Sequence, residues 1–155
     1  MRRSDRAITD PGKIEALIAG EQILRVGFYD RGEIYIVPVN YGYTFVDGKY
    51  SFYFHGAGAG RKFELSRSNP SVGFEIDGSY RLLEAESACH FSASFQSVIG
   101  TGTVQLVEDR EEKVKGLHTI MRQSTKKAEW EYREEMLEAV AVFRLDVTQI
   151  SCKAK

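Results

Sequence analysis

Apolar and polar residues alternate over much of this chain with a period of two, the pattern of strands that bury one face. Residues 23–28 read as a strand, and Asp30, Arg31 and Gly32 after them as a turn. A second run over 33–43 is rich in β-branched and aromatic side chains. Pro38 interrupts it. Proline cannot donate to a ladder, so the strand there lies at an edge, at a bulge or against a ligand. Asp47 and Gly48 signal a hairpin into a third strand over 50–55. A fourth strand is predicted over 72–77 and a long one within 91–106, with Gly100 and Gly102 as bend points. The last strand is predicted over 139–147, and the polar, weakly patterned stretch 78–87 reads as a loop.

Helical periodicity is confined to a few places. Asp10 is a good N-cap and Pro11 suits the first helical position; Ile14, Leu17 and Ile18 then share a face, and Gly20 ends the helix. A short helix-like run over 63–67 is stopped by Asn69-Pro70. Asp109 followed by Glu112 has the form of a capping box, opening a helix through Val114, Leu117, His118 and Met121. The charged stretch 126–138 is predicted to hold a further helical segment, with Trp130 as its anchor. Hairpin-linked strands outnumber helices, so the expected fold is mainly β. It is a small antiparallel barrel or a β-rich α+β domain, with residues 1–155 as a single unit.

Composition narrows the function classes. The net charge of −1 argues against a nucleic-acid partner held by a basic surface. No apolar run is long enough for a membrane span, and no apolar segment follows the basic N-terminus. Cys89 and Cys152 lack CxxC spacing and read as reduced thiols, Cys89 as a buried small hydrophobe; the expected location is cytoplasmic. His55, His90 and His118 lack metal-ligand spacing, so no metal site is expected. The acidic runs 108–112 and 131–135 read as solvated helix faces.

The candidate chemistry concentrates in the turn from Phe54 to Lys62, where His55 precedes Gly56, Ala57, Gly58, Ala59 and Gly60, and Arg61 and Lys62 open the next helix. Glycine permits close backbone approach, and free N–H groups at a helix start attract anions. The turn is neither of two better-known phosphate motifs. Arg61 falls where a P-loop needs its second glycine, and again where the dinucleotide fingerprint needs its third. A phosphate-bearing cofactor on this turn and a flexible turn with an exposed Arg-Lys pair are the two readings of the stretch by itself.

Several segments taken in order resemble the nitroimidazole-resistance branch of the pyridoxamine 5′-phosphate oxidase-like flavoproteins. They are residues 1–6, the run 36–43, Phe54-His55 with Ala57 and Gly60-Arg61-Lys62, Asn69-Pro70, Ala88-Cys89 with Phe91-Ser92, and the run 96–102. The resemblance implies a six-stranded antiparallel split β-barrel with a few peripheral helices, forming a homodimer with FMN at the interface. It implies reductase chemistry, proposed in that branch to convert the nitro group of 5-nitroimidazoles to an amine. The same fold holding a deazaflavin or haem, or a flavin-binding module without turnover, is the alternative.

Carried onto this chain, the resemblance puts Val37, Pro38, Val39 and Asn40 along the flavin ring and His55 beside it. It puts Arg61 and Lys62 at the phosphate with Gly56, Ala57 and Gly60 around them, and Ser97 on a strand approaching the cofactor. Phe95 stands where tyrosine is expected. The residues themselves are compatible with this. Val37, Val39 and Tyr41 offer an apolar platform, backbone groups near Pro38 with Asn40 offer a polar edge, and Arg61 with Lys62 offer a dianion site. His55 has two readings, a hydrogen-bonded structural group or a proton donor beside the cofactor.

Overall fold

The computed structural model describes residues 4–127 and 130–155. The first three residues of the opening motif and positions 128–129 of the predicted 126–138 helical segment lie outside the described residues. In chain order the elements are β1 (Ala7–Ile8), α1 (Pro11–Gly20), β2 (Ile23–Asp30), β3 (Glu33–Val46) and β4 (Lys49–Ala57). After them come α2 (Arg61–Ser68), β5 (Ser71–Leu83), β6 (Ser92–Leu106), α3 (Arg110–Thr125), α4 (Glu134–Ala139) and β7 (Val140–Ala154).

All strand pairings are antiparallel, in the order β1-β7-β4-β3-β2-β5-β6, and β6 returns to pair with β7. Six strands therefore close into a ring, and β1 adds to the end of β7 beyond β4. The alternation read from the sequence fills it. Leu24, Val26 and Phe28 of β2, Tyr41 of β3, Phe52 and Phe54 of β4, Ile76 of β5 and Phe143 and Leu145 of β7 are buried in one core. Arg31 (φ 51°) and Gly32 (φ 97°) make the β2–β3 turn, and Asp47 (φ 51°) and Gly48 (φ 77°) the β3–β4 turn. Positive φ at both central residues suits the right-handed twist of a hairpin.

The helices lie around the ring. The Asp10 carboxylate accepts from the Lys13 N–H, and Asp109 from the Glu112 N–H at 2.8 Å. The second half of the expected capping box does not form. Glu112 turns instead to Tyr53 (3.1 Å) and Arg144, pinning α3 to β4 and β7, so it is no part of a solvated face. Where α3 crosses β3, a Cβ on Gly42 would stand 2.3 Å from the Thr119 carbonyl, so glycine sets how closely the helix lies.

Several element lengths differ from the sequence reading. β5 continues to Leu83 through the stretch expected to be loop, with a bulge between Gly78 and Arg81 where Ser79 takes φ 54°. Polar, weakly patterned residues suffice there because 78–83 form an outlying ribbon with β6 and bury little. β7 runs seven residues past Val147. Among the described residues of the 126–138 segment the helix starts only at Glu134, as α4, Glu134–Ala139. Trp130 packs beneath Lys127, whose ammonium is 4.4 Å from its ring centroid, and its carbonyl bonds His118. Cys89 is exposed, contrary to the buried reading. It sits on a short 3-10 turn outside the barrel, whereas Cys152 is buried and its thiol is pushed up to about 11 by burial.

Candidate functional site

The ring is not sealed along its whole length. β3 pairs with β2 from Glu33 to Asn40, but its pairing with β4 begins only at Tyr41 opposite Phe54. Past that point β4 continues beside β7, through His55 opposite Val142 to Ala57 opposite Val140. The two strands have parted, and among the described residues β3 from 33 to 40 has no strand partner on its β4 side. Pro38 lies in this open stretch, which answers the three alternatives its sequence position left: it is at an edge.

The first turn of α2 spans the parting. Arg61 reaches toward β2 and β3. Its Nε donates to Asp30 at 2.8 Å, its Nη2 to Glu33 at 3.1 Å, and its guanidinium carbon lies 4.8 Å from the centroid of the Tyr35 ring. Lys62 reaches the other way, to β4 and β7. Its ammonium donates to the His55 carbonyl at 3.0 Å and lies 5.6 and 5.3 Å from the ring centroids of Phe54 and Phe143. A Cβ on Gly56 would stand 2.5 Å from Lys62 Nζ, so Gly56 makes the space the ammonium occupies. Gly60, with φ 99°, precedes the helix, and added Cβ atoms at Gly58 and Gly60 would meet open space. The first helical hydrogen bond runs from the Glu64 N–H to the Gly60 carbonyl, leaving the preceding N–H groups without an intrahelical acceptor.

The two cations differ electrostatically. Arg61 is exposed and already neutralised by two carboxylates. Lys62 is half-buried, burial lowers its pKa, and among the described residues no carboxylate pairs with it. A desolvated ammonium with no counter-ion, beside helix N–H groups, is a place where an anion lowers the free energy. His55 stands two residues along β4 from Tyr53. Its side chain is exposed on β4, yet partial desolvation and then the Lys62 charge lower its pKa, which favours the neutral ring. Among the described residues nothing hydrogen-bonds that ring, which leaves it free for a ligand.

The parting thus brings together Pro38, Asn40, His55, Gly56, Ala57, Gly60, Arg61 and Lys62. Val37 and Val39 share the stretch, but their side chains face the barrel interior, Val39 buried and Val37 packed against the core. Tyr41 is fully buried with its hydroxyl bonded to the Ile18 carbonyl. The side-chain platform expected of Val37, Val39 and Tyr41 is therefore absent, since the period of two that makes them apolar also turns them inward. Val37 and Val39 can offer the parting only backbone groups. Pro38 and Asn40 face outward, and Asn40 Nδ2 donates to the Gln22 carbonyl at 3.4 Å. Ser97 is not in this group. It lies on β6 between Asp77 of β5 and Lys153 of β7, and Lys153 is eleven residues along β7 from Val142, the partner of His55. Sequence reasoning missed Asp30, Glu33 and Tyr35, which hold Arg61; their turn and strand positions carried no signal of a partner on α2.

Among the described residues no cluster of three or more His, Cys, Asp and Glu side chains could hold a metal, and no helix is long and apolar enough to cross a membrane. The sequence profile of the pyridoxamine 5′-phosphate oxidase family matches residues 10–154. No curated protein sequence matches significantly. Among solved structures, a candidate 5-nitroimidazole antibiotic resistance protein of Bacteroides thetaiotaomicron is 31% identical. The alignment covers 96% of this chain and 86% of that one, with a TM-score of 0.82. A flavocytochrome of Azotobacter vinelandii is 23% identical over 100% and 72% of the two chains, with a TM-score of 0.81. An FAD- and haem-binding protein of Mycobacterium smegmatis is 15% identical over 97% and 73%, with a TM-score of 0.82. The last two share the fold.

Proposed function

The chain belongs to the pyridoxamine 5′-phosphate oxidase family, and from that premise we propose that it is an FMN-dependent oxidoreductase with its cofactor in the β3–β4 parting. The observation that carries this reading is Lys62, a half-buried ammonium at the start of α2 with no anionic partner among the described residues. A phosphate fits there. The glycine turn leaves open space, the helix start supplies N–H donors, and Lys62 supplies charge. The unpaired edge of β3 offers backbone donors and acceptors to the polar rim of a flavin ring, with Pro38 and Asn40 beside it on the outer face. FMN ends in the single phosphate that this one cradle suits.

A bound flavin supplies the redox chemistry, taking up and passing on electrons. The protein's own residues bind and orient it and manage protons. The His55 ring, with a lowered pKa and no hydrogen-bond partner among the described residues, can take a proton from solvent and deliver it to a substrate at the parting. The 31% identical neighbour is a candidate 5-nitroimidazole resistance protein, so reduction of a nitro group on a small heteroaromatic is the chemistry we propose. The residues that face out of the sheet leave the parting open on one side, and a second copy of the chain is the wall we propose for it.

The test is the identity of the flavin that copurifies, by visible spectrum and mass, together with titrations of FMN and riboflavin. FMN should bind at least tenfold tighter than riboflavin, and the flavin-loaded protein should reduce a 5-nitroimidazole in single-turnover reoxidation. Equal affinity for FMN and riboflavin would remove the phosphate from α2. A haem spectrum in place of a flavin one would overturn the cofactor assignment.

A further inference from the structure

Arg61 is the residue nearest the proposed phosphate whose charge is already taken. Asp30 at the end of β2 and Glu33 at the start of β3 accept from two different guanidinium nitrogens, at 2.8 and 3.1 Å, while the Tyr35 ring lies 4.8 Å from the guanidinium carbon. The hairpin turn at Arg31 and Gly32 puts the two carboxylates side by side, since Asp30 and Glu33 are a cross-strand pair. Without Arg61 they would be adjacent like charges. Nearby charges also include Lys62 on the far side of the parting, the exposed Arg31, whose Nε is 3.7 Å from Asp30, and Glu64 in the first turn of α2. Arg61, Lys62, Asp30 and Glu33 sum to zero, so the first turn of α2 meets an incoming dianion with no net side-chain charge from these four.

We propose that Asp30 and Glu33 set the affinity of the α2 anion site by competing with a bound phosphate for Arg61. This rests on the reading that a phosphate-bearing flavin binds at α2. The guanidinium has five N–H donors and two are committed, so a phosphate can share it without fully displacing the carboxylates. Either way the two carboxylates stand within one side chain of the phosphate and repel it. The pair acts on the phosphate alone. It therefore discriminates among ligands by the charge they bring to the helix start and is indifferent to the flavin ring. A flavin held this way is exchangeable, because the cation that would lock it is shared with two internal competitors.

The experiment titrates FMN and riboflavin into the full chain, freed of flavin, as wild type, Asp30→Asn/Glu33→Gln and Lys62→Ala, at low and high salt. The double variant should bind FMN about tenfold tighter than wild type at low salt, with riboflavin affinity unchanged, because two screened like charges have been removed. Its FMN affinity should also fall more steeply with salt than wild type, since the cradle now carries net positive charge. Glu33→Gln alone should move FMN affinity the same way by about threefold. Its side chain is 76% exposed, so folding is not at stake. FMN binding unchanged or weaker in both carboxylate variants, while Lys62→Ala weakens it, would overturn the competition and leave the phosphate at α2. FMN binding unmoved by all three would overturn both, because no charge of the cradle then touches the ligand. Equal tightening of FMN and riboflavin would also overturn it, since a charge effect cannot reach a ligand without the phosphate.

Discussion

Replacing Lys62 by methionine removes a charge while keeping most of the stem that lies over Phe54 and Phe143. The lost cation–π contacts and the relief of a desolvated ammonium act in opposite directions. The melting temperature of the flavin-free protein should therefore stay within a few degrees. FMN affinity should fall about tenfold to a hundredfold, the worth of one charge-assisted contact to phosphate. Calorimetry beside FMN titration checks both, and a large loss of stability with unchanged affinity would make Lys62 a plug of the barrel mouth and nothing more. His55 differs. Its folded-state pKa is depressed by partial desolvation, though the side chain is exposed, and by Lys62, so the unfolded chain takes up the proton more readily. Stability present above about pH 6.5 is then lost as pH falls below it, and His55→Gln should flatten that decline. With flavin bound, His55→Gln should keep most FMN affinity and slow reoxidation by a nitroimidazole by about 10²–10⁴-fold. Normal reoxidation in that variant would take His55 out of the chemistry.

At the scale of elements, the close approach of α3 to β3 is the contact on which the site's neighbourhood depends. Gly42→Ala would drive a methyl group into the backbone of Thr119, 2.3 Å from its carbonyl atoms. Neither the backbone of a helix nor that of a strand gives way as a side chain tip does. The variant should lose about 1–3 kcal/mol in urea denaturation, with the barrel intact. An unchanged midpoint would mean that α3 is free to slide. No sequence pattern marked Gly42, because a glycine inside a strand looks the same whether it faces a helix or water. Pattern reasoning located α1, β2, β3, β4 and α2 to within a few residues, since caps, hairpin turns and alternation are local signals. It missed the second half of β7, where Thr148 and Gln149 are polar in a strand that pairs with β6 around a bulge. It assigned Val37, Val39 and Tyr41 to the ligand because an apolar run does not say which alternate residues turn inward. It placed Arg61 at the phosphate without its carboxylate partners, which only the tertiary fold brings to it.

At the scale of the molecule, the outer face of β2, β5, β6 and the first half of β3, before α3 crosses it at Gly42, is left uncovered among the described residues. Ile34 (67% exposed), Ile36 (61%), Tyr29 (53%) and Ile99 (46%) stand out from it. Gly27 and Gly73, a cross-strand pair next to Ile36, floor a depression of about 450 Å³ that Ile34 and Ile36 flank and Arg25 and Glu75 close at one end. Arg25 is itself fixed by Glu75 at 3.0 Å and Asp77 at 2.5 Å. An apolar ridge beside a trough on the same face is self-complementary: turned about a twofold axis, the ridge of one copy meets the trough of another. Pro38 and Asn40 face the same way, so a partner seated there would wall the parting. Ser97, too far from its own chain's parting, would be on the surface presented to the partner's. Ile36→Lys should therefore convert a dimer of about 35 kDa into a monomer by light scattering, twice and once the 17.5 kDa chain mass. Far-ultraviolet circular dichroism should be unaltered, because Ile36 packs on nothing essential to the barrel. FMN affinity should drop at least tenfold in the same variant, since the ring loses one wall while the phosphate cradle on α2 is untouched. Riboflavin, which has only the ring contacts, should lose binding by a similar factor. A wild-type monomer that holds FMN tightly, or an Ile36→Lys dimer with full affinity, would show that the second copy has no part in the site.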